Sequence, residues 1–304
     1  MKRTIILRIT RIVISITLII MGFLVFSSMC PNTDARTERT IGYRDSEYKS
    51  SELWYIGNSN MKSGIIPDIV YNQTGLIGYN SGEAYMSMQR LLNVTKDFYN
   101  YQNPKLIIFE TDVLIDCVDD SQDDNLHFYD GPIQRFYHNH DFWRKSIQTK
   151  RIKSHHGYNM KQSTMDAANK ADYKDKNVQI EFCDKNKALL DQFLSIANEH
   201  ETKVLFVSLP ATKHGNKKSQ DGIKEYLSQN DEVLIDFSDF DRAGLDRRTC
   251  MADNNHINFK AAYKVSKYIG NYIKDNYEIS TNCEHQQFDN EVKKFNNKYC
   301  KNLK

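Results

Sequence analysis

The sequence predicts a three-layer α/β/α sandwich around a central, mainly parallel five-stranded sheet, in the flavodoxin-like manner. Three observations lead there. Five short runs are almost wholly apolar instead of alternating with polar residues, which is the pattern of strands covered on both faces. Segments of helical period separate several of these runs. The chain has 304 residues, is 40% hydrophobic and holds only Gly 13 and Pro 5, so it can bury a core and is no collagen-like or proline-rich scaffold.

The first element is not part of the sandwich. Lys2, Arg3, Arg8 and Arg11 are the charged residues before Asp34, and all are basic. An uncharged run follows Arg11. Taken over residues 9–30 it supplies the roughly 20 residues that cross a bilayer. The basic flank predicts a signal anchor over residues 1–30, with a cytoplasmic N-terminus and residues 31–304 outside the cell membrane. A cleaved signal peptide, a lipoprotein modified at Cys30 and a buried core helix stay open as alternatives. Small residues at the cleavage positions are few, and Pro31 follows Cys30 directly. Overall charge is +2, from Lys+Arg 41 against Asp+Glu 39. That balance excludes a nucleic-acid partner held by bulk charge.

Residues 31–50 are polar, lack hydrophobic period and read as a linker. An α/β domain over 51–280 follows. Leu53–Ile56 is apolar and ends in Gly57, so it reads as a buried strand. Residues 76–79 form a second run. Met86, Leu91, Leu92, Val94 and Phe98 fall at helical spacing in 83–101. Residues 106–109 (LIIF) form a third strand after Asn103-Pro104. Residues 185–200 form an amphipathic helix. Residues 204–209 and 233–237 are two more strands. Phe259–Asn276 closes the domain as a helix with Ala262, Val265, Ile269 and Ile273 on one face.

Residues 116–180 interrupt this alternation and read as an insertion over the site. It carries Asp116, Asp119, Asp120, Asp123 and Asp124, then His127, His138, His140, His155 and His156. No histidine pair there has the i, i+4 spacing of a helical metal motif such as H-E-x-x-H, so no metal site is expected. Phe136, Tyr137, Phe142 and Trp143 suit either stacking on sugar rings or the core of a lid. The basic run of residues 144–153 suits anionic polymer, lipid headgroups or plain solvent. Residues 281–304 read as a polar tail. Cys117, Cys183, Cys250, Cys283 and Cys300 would lie outside the membrane. Cys283 and Cys300 bracket the tail and could close a loop; all thiols is the alternative.

In a doubly wound sheet, ligands bind beyond the carboxyl ends of the strands. Ser59 stands two residues after Gly57, where a turn lifts a hydroxyl off the sheet edge, as a nucleophile requires. A helix cap is the plain alternative. Asp253 and His256 form D-x-x-H before the last helix. On a turn, that spacing lets a carboxylate orient an imidazole acting as base. Capping and turn roles are again the alternatives.

The pattern Gly57-Asn58-Ser59-Asn60, then Tyr79-Asn80-Ser81-Gly82, then Asp253-x-x-His256-Ile257-Asn258 resembles the SGNH hydrolase superfamily. It is similar to membrane-anchored members that acylate bacterial cell-envelope polymers, of the D-alanyl-teichoic-acid and alginate O-acetylation types. The resemblance spans about residues 51–277. It implies Ser59 as nucleophile, His256 as base and Asp253 as its orienting acid. The N–H groups of Ser59 and Gly82 would hold the oxyanion, with no cofactor. It also implies an envelope polysaccharide as substrate and a membrane-bound O-acyltransferase as partner. Two departures stand out. The third block reads Phe109-Glu110-Thr111-Asp112 and lacks the family's asparagine, leaving Thr111 as a substitute donor. Asn58 stands where many members have aspartate. Asn58 and Asn80 are further candidates for the oxyanion or substrate. Loss of one oxyanion donor costs about 2.7–4 kcal/mol. The expectation is therefore a slow, dedicated O-acyltransferase or esterase, or a glycan-binding relative without catalysis.

Overall fold

The computed structural model describes residues 2–44, 51–115, 124–141, 155–168, 182–212, 217–238, 240, 242–280, 286–301 and 303. The chain divides into two compact units, Met1–Glu38 with His127–Ile152, and Arg39–Leu126 with Lys153–Lys304.

The first unit is built on the helix Lys2–Met29, which is long and apolar enough to cross a membrane, with a mean hydropathy of 2.5. Its apolar side chains are exposed, as a bilayer-facing surface requires. The helix Pro132–Asn139 packs on its end, where Phe136 meets Phe23 and Phe26 with ring centroids 5.1 and 6.0 Å apart. The Asn139 amide donates to the carbonyls of Pro31 and Thr33 at 2.9 and 3.0 Å. Phe136 is thus a packing residue, while Tyr137 stays exposed. Phe142, Trp143, the basic run 144–153 and the aspartates at 116–123 lie outside the described residues.

The second unit is the predicted sandwich. Its strands are β1 (Leu53–Ile56), β2 (Gly78–Asn80), β3 (Leu106–Glu110), β4 (Lys203–Ser208) and β5 (Val233–Asp236). They lie in the order β2-β1-β3-β4-β5, and every neighbouring pair is parallel. Side chains alternate between two cores. Tyr55, Ile108 and Val207 face Phe259–Asn276 and the short helices Ser59–Gly64 and Pro67–Thr74. Trp54, Ile107, Phe109 and Phe206 face Met88–Phe98, Asp184–Glu199 and Lys217–Gln229. Both faces are dry, which explains why the strands read as continuous apolar runs. The strand order reverses at β1, so the cleft between the ends of β1 and β3 is where this architecture receives ligands.

Several boundaries differ from expectation. Residues 31–50 are more than a linker: a helix spans Ala35–Thr40, and Thr40, Ile41 and Tyr43 are buried. Tyr43 donates to Asp97 at 2.6 Å and packs edge-on against Phe98. The 281–304 segment is not only a polar tail. Gln286–Phe295 is a helix that buries Phe288, Val292 and Phe295, three apolar residues spaced along one face of an otherwise polar sequence. Cys183 is disulfide-bonded, whereas Cys30, Cys250 and Cys300 are buried thiols. Neither a loop closed at Cys300 nor an all-thiol chain is therefore found. Cys117 and Cys283 lie outside the described residues.

Candidate active site

The site is assembled from the loops after β1, β2 and β3 and the turn before Phe259–Asn276. After β1 the chain passes very close to β3. A Cβ on Gly57 would lie 2.6 Å from Glu110 Cβ, so a side chain there would push the strands apart. Asn58 then caps the helix Ser59–Gly64, its Oδ1 accepting the Asn60 N–H at 2.8 Å. The cap role belongs to Asn58, which leaves the Ser59 hydroxyl available.

That hydroxyl lies 2.9 Å from His256 Nε2. The other ring nitrogen, Nδ1, lies 2.7 Å from Asp253 Oδ1. Donation from Nδ1–H to Asp253 and from the serine O–H to Nε2 satisfies all three groups. Asp253 Oδ1 also accepts the backbone N–H of Asn255 and His256, at 2.9 and 3.0 Å, so one carboxylate shapes the turn and orients the ring. His256 does not cap the following helix. Asn258 does, accepting the Ala261 N–H at 3.1 Å. Partial burial raises the Asp253 carboxyl, but the Asn255 N–H, His256 and Lys161 outweigh it and hold it below the ordinary carboxylate range.

The cleft in front of Ser59 has a volume of about 330 Å³, with Asn58, Lys62, Asp112, Lys161 and His256 among its lining residues. This is at the small end of the range for a ligand pocket. Tyr85 also lines it and is 83% exposed, with φ 56. A bulky residue in that backbone region is strained, and such strain collects where a side chain is presented for use.

The expected oxyanion donors are arranged differently. Gly82 lies against the helix Ser59–Gly64, where a Cβ would fall 2.5 Å from Lys62 N. Its N–H, however, donates to Asn80 Oδ1 at 2.9 Å. Asn80 is buried, and its Nδ2 donates to the carbonyls of Met61 and Ile65. It is an internal strut and does not line the cleft. Thr111 is fully buried and does not line it either. The segment after β3 delivers Val113 and the polar Asp112 to the cleft, and Asp112 Oδ2 accepts from Asn60 Nδ2.

Sequence reasoning also passed over Glu110. It is fully buried beneath the loop after β1, and Asp112 N–H donates to its Oε1 at 3.1 Å. Burial and the nearby Asp112 push its carboxyl well above the usual range, against the N–H groups of Asp112, Asn58 and Leu209. These N–H groups belong to loops after β3, β1 and β4, so Glu110 ties three loops of the site together. A charged residue closing an apolar run was the available signal.

No protein-family model matches the chain, and no curated protein matches it. Solved structures do. A Bacteroides fragilis protein described as a candidate acylhydrolase is 12% identical, with a TM-score of 0.42 over 83% of this chain and 94% of that one. A Desulfitobacterium hafniense protein described as a candidate lipolytic protein of the G-D-S-L family is 11% identical, with a TM-score of 0.40 over 72% and 98%. A gut microbial diltiazem-metabolizing enzyme is 12% identical, with a TM-score of 0.30 over 74% of this chain and 47% of that one.

Proposed function

We propose that this protein is a serine-dependent O-acyltransferase or acyl esterase that acts, outside the cell membrane, on a cell-surface polysaccharide or related envelope polymer. The observation that carries the reading is the continuous Ser59–His256–Asp253 chain, with links of 2.9 and 2.7 Å, opening into the cleft. His256 Nε2 removes the Ser59 proton as Oγ attacks the acyl carbonyl. Asp253 stabilises the imidazolium that forms. The oxyanion develops beside the Ser59 N–H, and beside the Gly82 N–H once Asn80 Oδ1 shares or releases it. His256 then protonates the leaving oxygen and the acyl-serine remains. A sugar hydroxyl or water, deprotonated by His256, attacks that ester; Ser59 regains its proton and the acyl group leaves on the new oxygen.

Three features support the polymer and its location. Tyr85 offers an exposed ring at the cleft rim, a surface on which sugar rings stack. The Lys2–Met29 helix supplies a membrane anchor. The Cys183 disulfide fits an oxidising compartment. An anchored transferase needs acyl groups carried across the bilayer, and a membrane-bound O-acyltransferase is the partner that would supply them.

A second reading is a glycan-binding protein on the same fold. It is favoured by the Gly82 N–H being held by Asn80, and by a carboxylate, Asp112, where a donor was expected. One experiment separates the two. The detergent-solubilised full chain and its Ser59→Ala variant are treated with a fluorophosphonate, and adducts are located by peptide mass. An adduct on Ser59 that the variant lacks is expected; none on a folded protein favours the binding role.

A further inference from the structure

The cleft contains a cation that the triad does not use. Lys62 lies three residues after Ser59 on one short helix, so both side chains leave the same face with Cβ atoms about 5–6 Å apart. It is half-buried and lines the cleft. Among the described residues its ammonium makes no hydrogen bond or ion pair. Glu83 is the carboxylate that acts on it, and Glu83 is already held by Arg90 at 2.8 Å and Thr40 at 2.5 Å. Asp112 is bonded by Asn60. Burial first, then Arg39 and Lys161, push the Lys62 ammonium below its ordinary range. A second cation, Lys161, lines the same cleft and reaches Asp253 Oδ2 at 3.4 Å. A partly desolvated cation without a partner is costly, and a ligand anion relieves that cost.

We propose that the Ser59 cleft takes an ester bearing an anionic group, a carboxylate or phosphate, which Lys62 holds one helical turn from the nucleophile with Lys161 assisting. This rests on the acyl-serine reading and narrows it to acidic substrates. With a lysine arm of about 6 Å, the anion sits several bonds from the scissile carbonyl.

The test uses the full chain in detergent and two isosteric esters, 4-acetoxybenzoate and 4-acetoxybenzamide. The anionic ester is expected to be preferred about tenfold in kcat/KM, as for one hydrogen bond to a charged group. The preference should shrink as salt is raised. Lys62→Gln should bring the ratio near one, and Lys62→Arg should retain it. Equal turnover of the two esters by the wild-type protein overturns the inference, and that comparison needs no variant. Equal losses on both esters in Lys62→Gln would assign Lys62 to the oxyanion and also overturn it. Absence of turnover together with absence of a Ser59 adduct is a different result, and removes the acyl-serine reading itself.

Discussion

Gly82 donates its N–H to Asn80 Oδ1 at 2.9 Å, while the same amide donates to the carbonyls of Met61 and Ile65 at 3.0 and 2.9 Å. One buried side chain thus joins the loop after β2 to the end of the helix Ser59–Gly64. Replacing it by alanine leaves three backbone groups without that partner. Asn80→Ala is expected to lower unfolding stability by about 1–3 kcal/mol, seen as a lower urea midpoint at unchanged slope. Gly82→Ala acts otherwise: its Cβ would strike Lys62 N, so loss of Ser59 labelling in a folded protein is expected.

Asp253 separates charge from shape. Its Oδ1 accepts two backbone N–H groups besides the His256 ring, and an asparagine carbonyl oxygen can keep the backbone pair. Asp253→Asn should therefore preserve the turn and remove the charge that stabilises the imidazolium. Ester turnover is expected to fall about 10⁴-fold with little change in thermal midpoint. Because the carboxyl titrates below its ordinary range, the deficit should hold from about pH 8 down to about pH 5. Combining this change with His256→Ala should add little further loss; an additive loss would show that the residues do not act as a unit.

How much of this was legible depends on the kind of signal. The strands were, because Trp54 and Tyr55 face opposite dry cores and most positions are apolar, with polar residues confined to strand ends. The meeting of Ser59 with His256 and Asp253 was, because these residues stand at loop positions that a doubly wound sheet brings to one edge. The helices Ser59–Gly64 and Pro67–Thr74 were not, being too short for a period to show. Lys217–Gln229 was hidden because few apolar residues, Ile223 and Leu227 among them, are buried in a polar sequence. The fate of Asn80 and Thr111 was not legible either. Alternation along a chain says which residues share a face, but not whether an amide is spent on carbonyls brought in by a neighbouring helix.

Glu110 gives a stability prediction with a definite sign. Its folded carboxyl titrates well above the unfolded value of about 4.3, so the folded state binds the extra proton. Stability is then greatest below the unfolded value and declines as pH rises toward the folded one. Glu110→Gln removes that titration and keeps an acceptor for the Asp112 N–H. The variant should be more stable than wild type at about pH 8, with the gap closing toward about pH 4. Urea midpoints across this range measure it. Glu110→Leu, which keeps no acceptor, should loosen the loops and slow Ser59 labelling.

His156 carries the opposite kind of charge and a comparable dependence. The buried ring lies 3.0 Å from Asp68 through Nδ1 and 3.1 Å from Glu291 through Nε2, and stacks on Phe288. Burial lowers its affinity for a proton, but Asp68 and then Glu291 outweigh that and lift it to about 9. A group raised in the folded state contributes fully below its unfolded value, about 6.5, and that contribution is lost as pH rises through about 9. Asp68 and His156 thus form a clamp that fastens the Pro67–Thr74 helix to the 155–158 segment, and Glu291 extends it to Gln286–Phe295. His156→Asn leaves the fully buried Asp68 without its cation and should cost about 3–5 kcal/mol at neutral pH. Between about pH 6.5 and about pH 9 the wild-type thermal midpoint should fall more steeply than that of the variant, which keeps only the decline due to Glu110. A wild-type profile that runs parallel to the variant's would show that the ring is neutral at pH 7 and that packing alone holds the C-terminal helix.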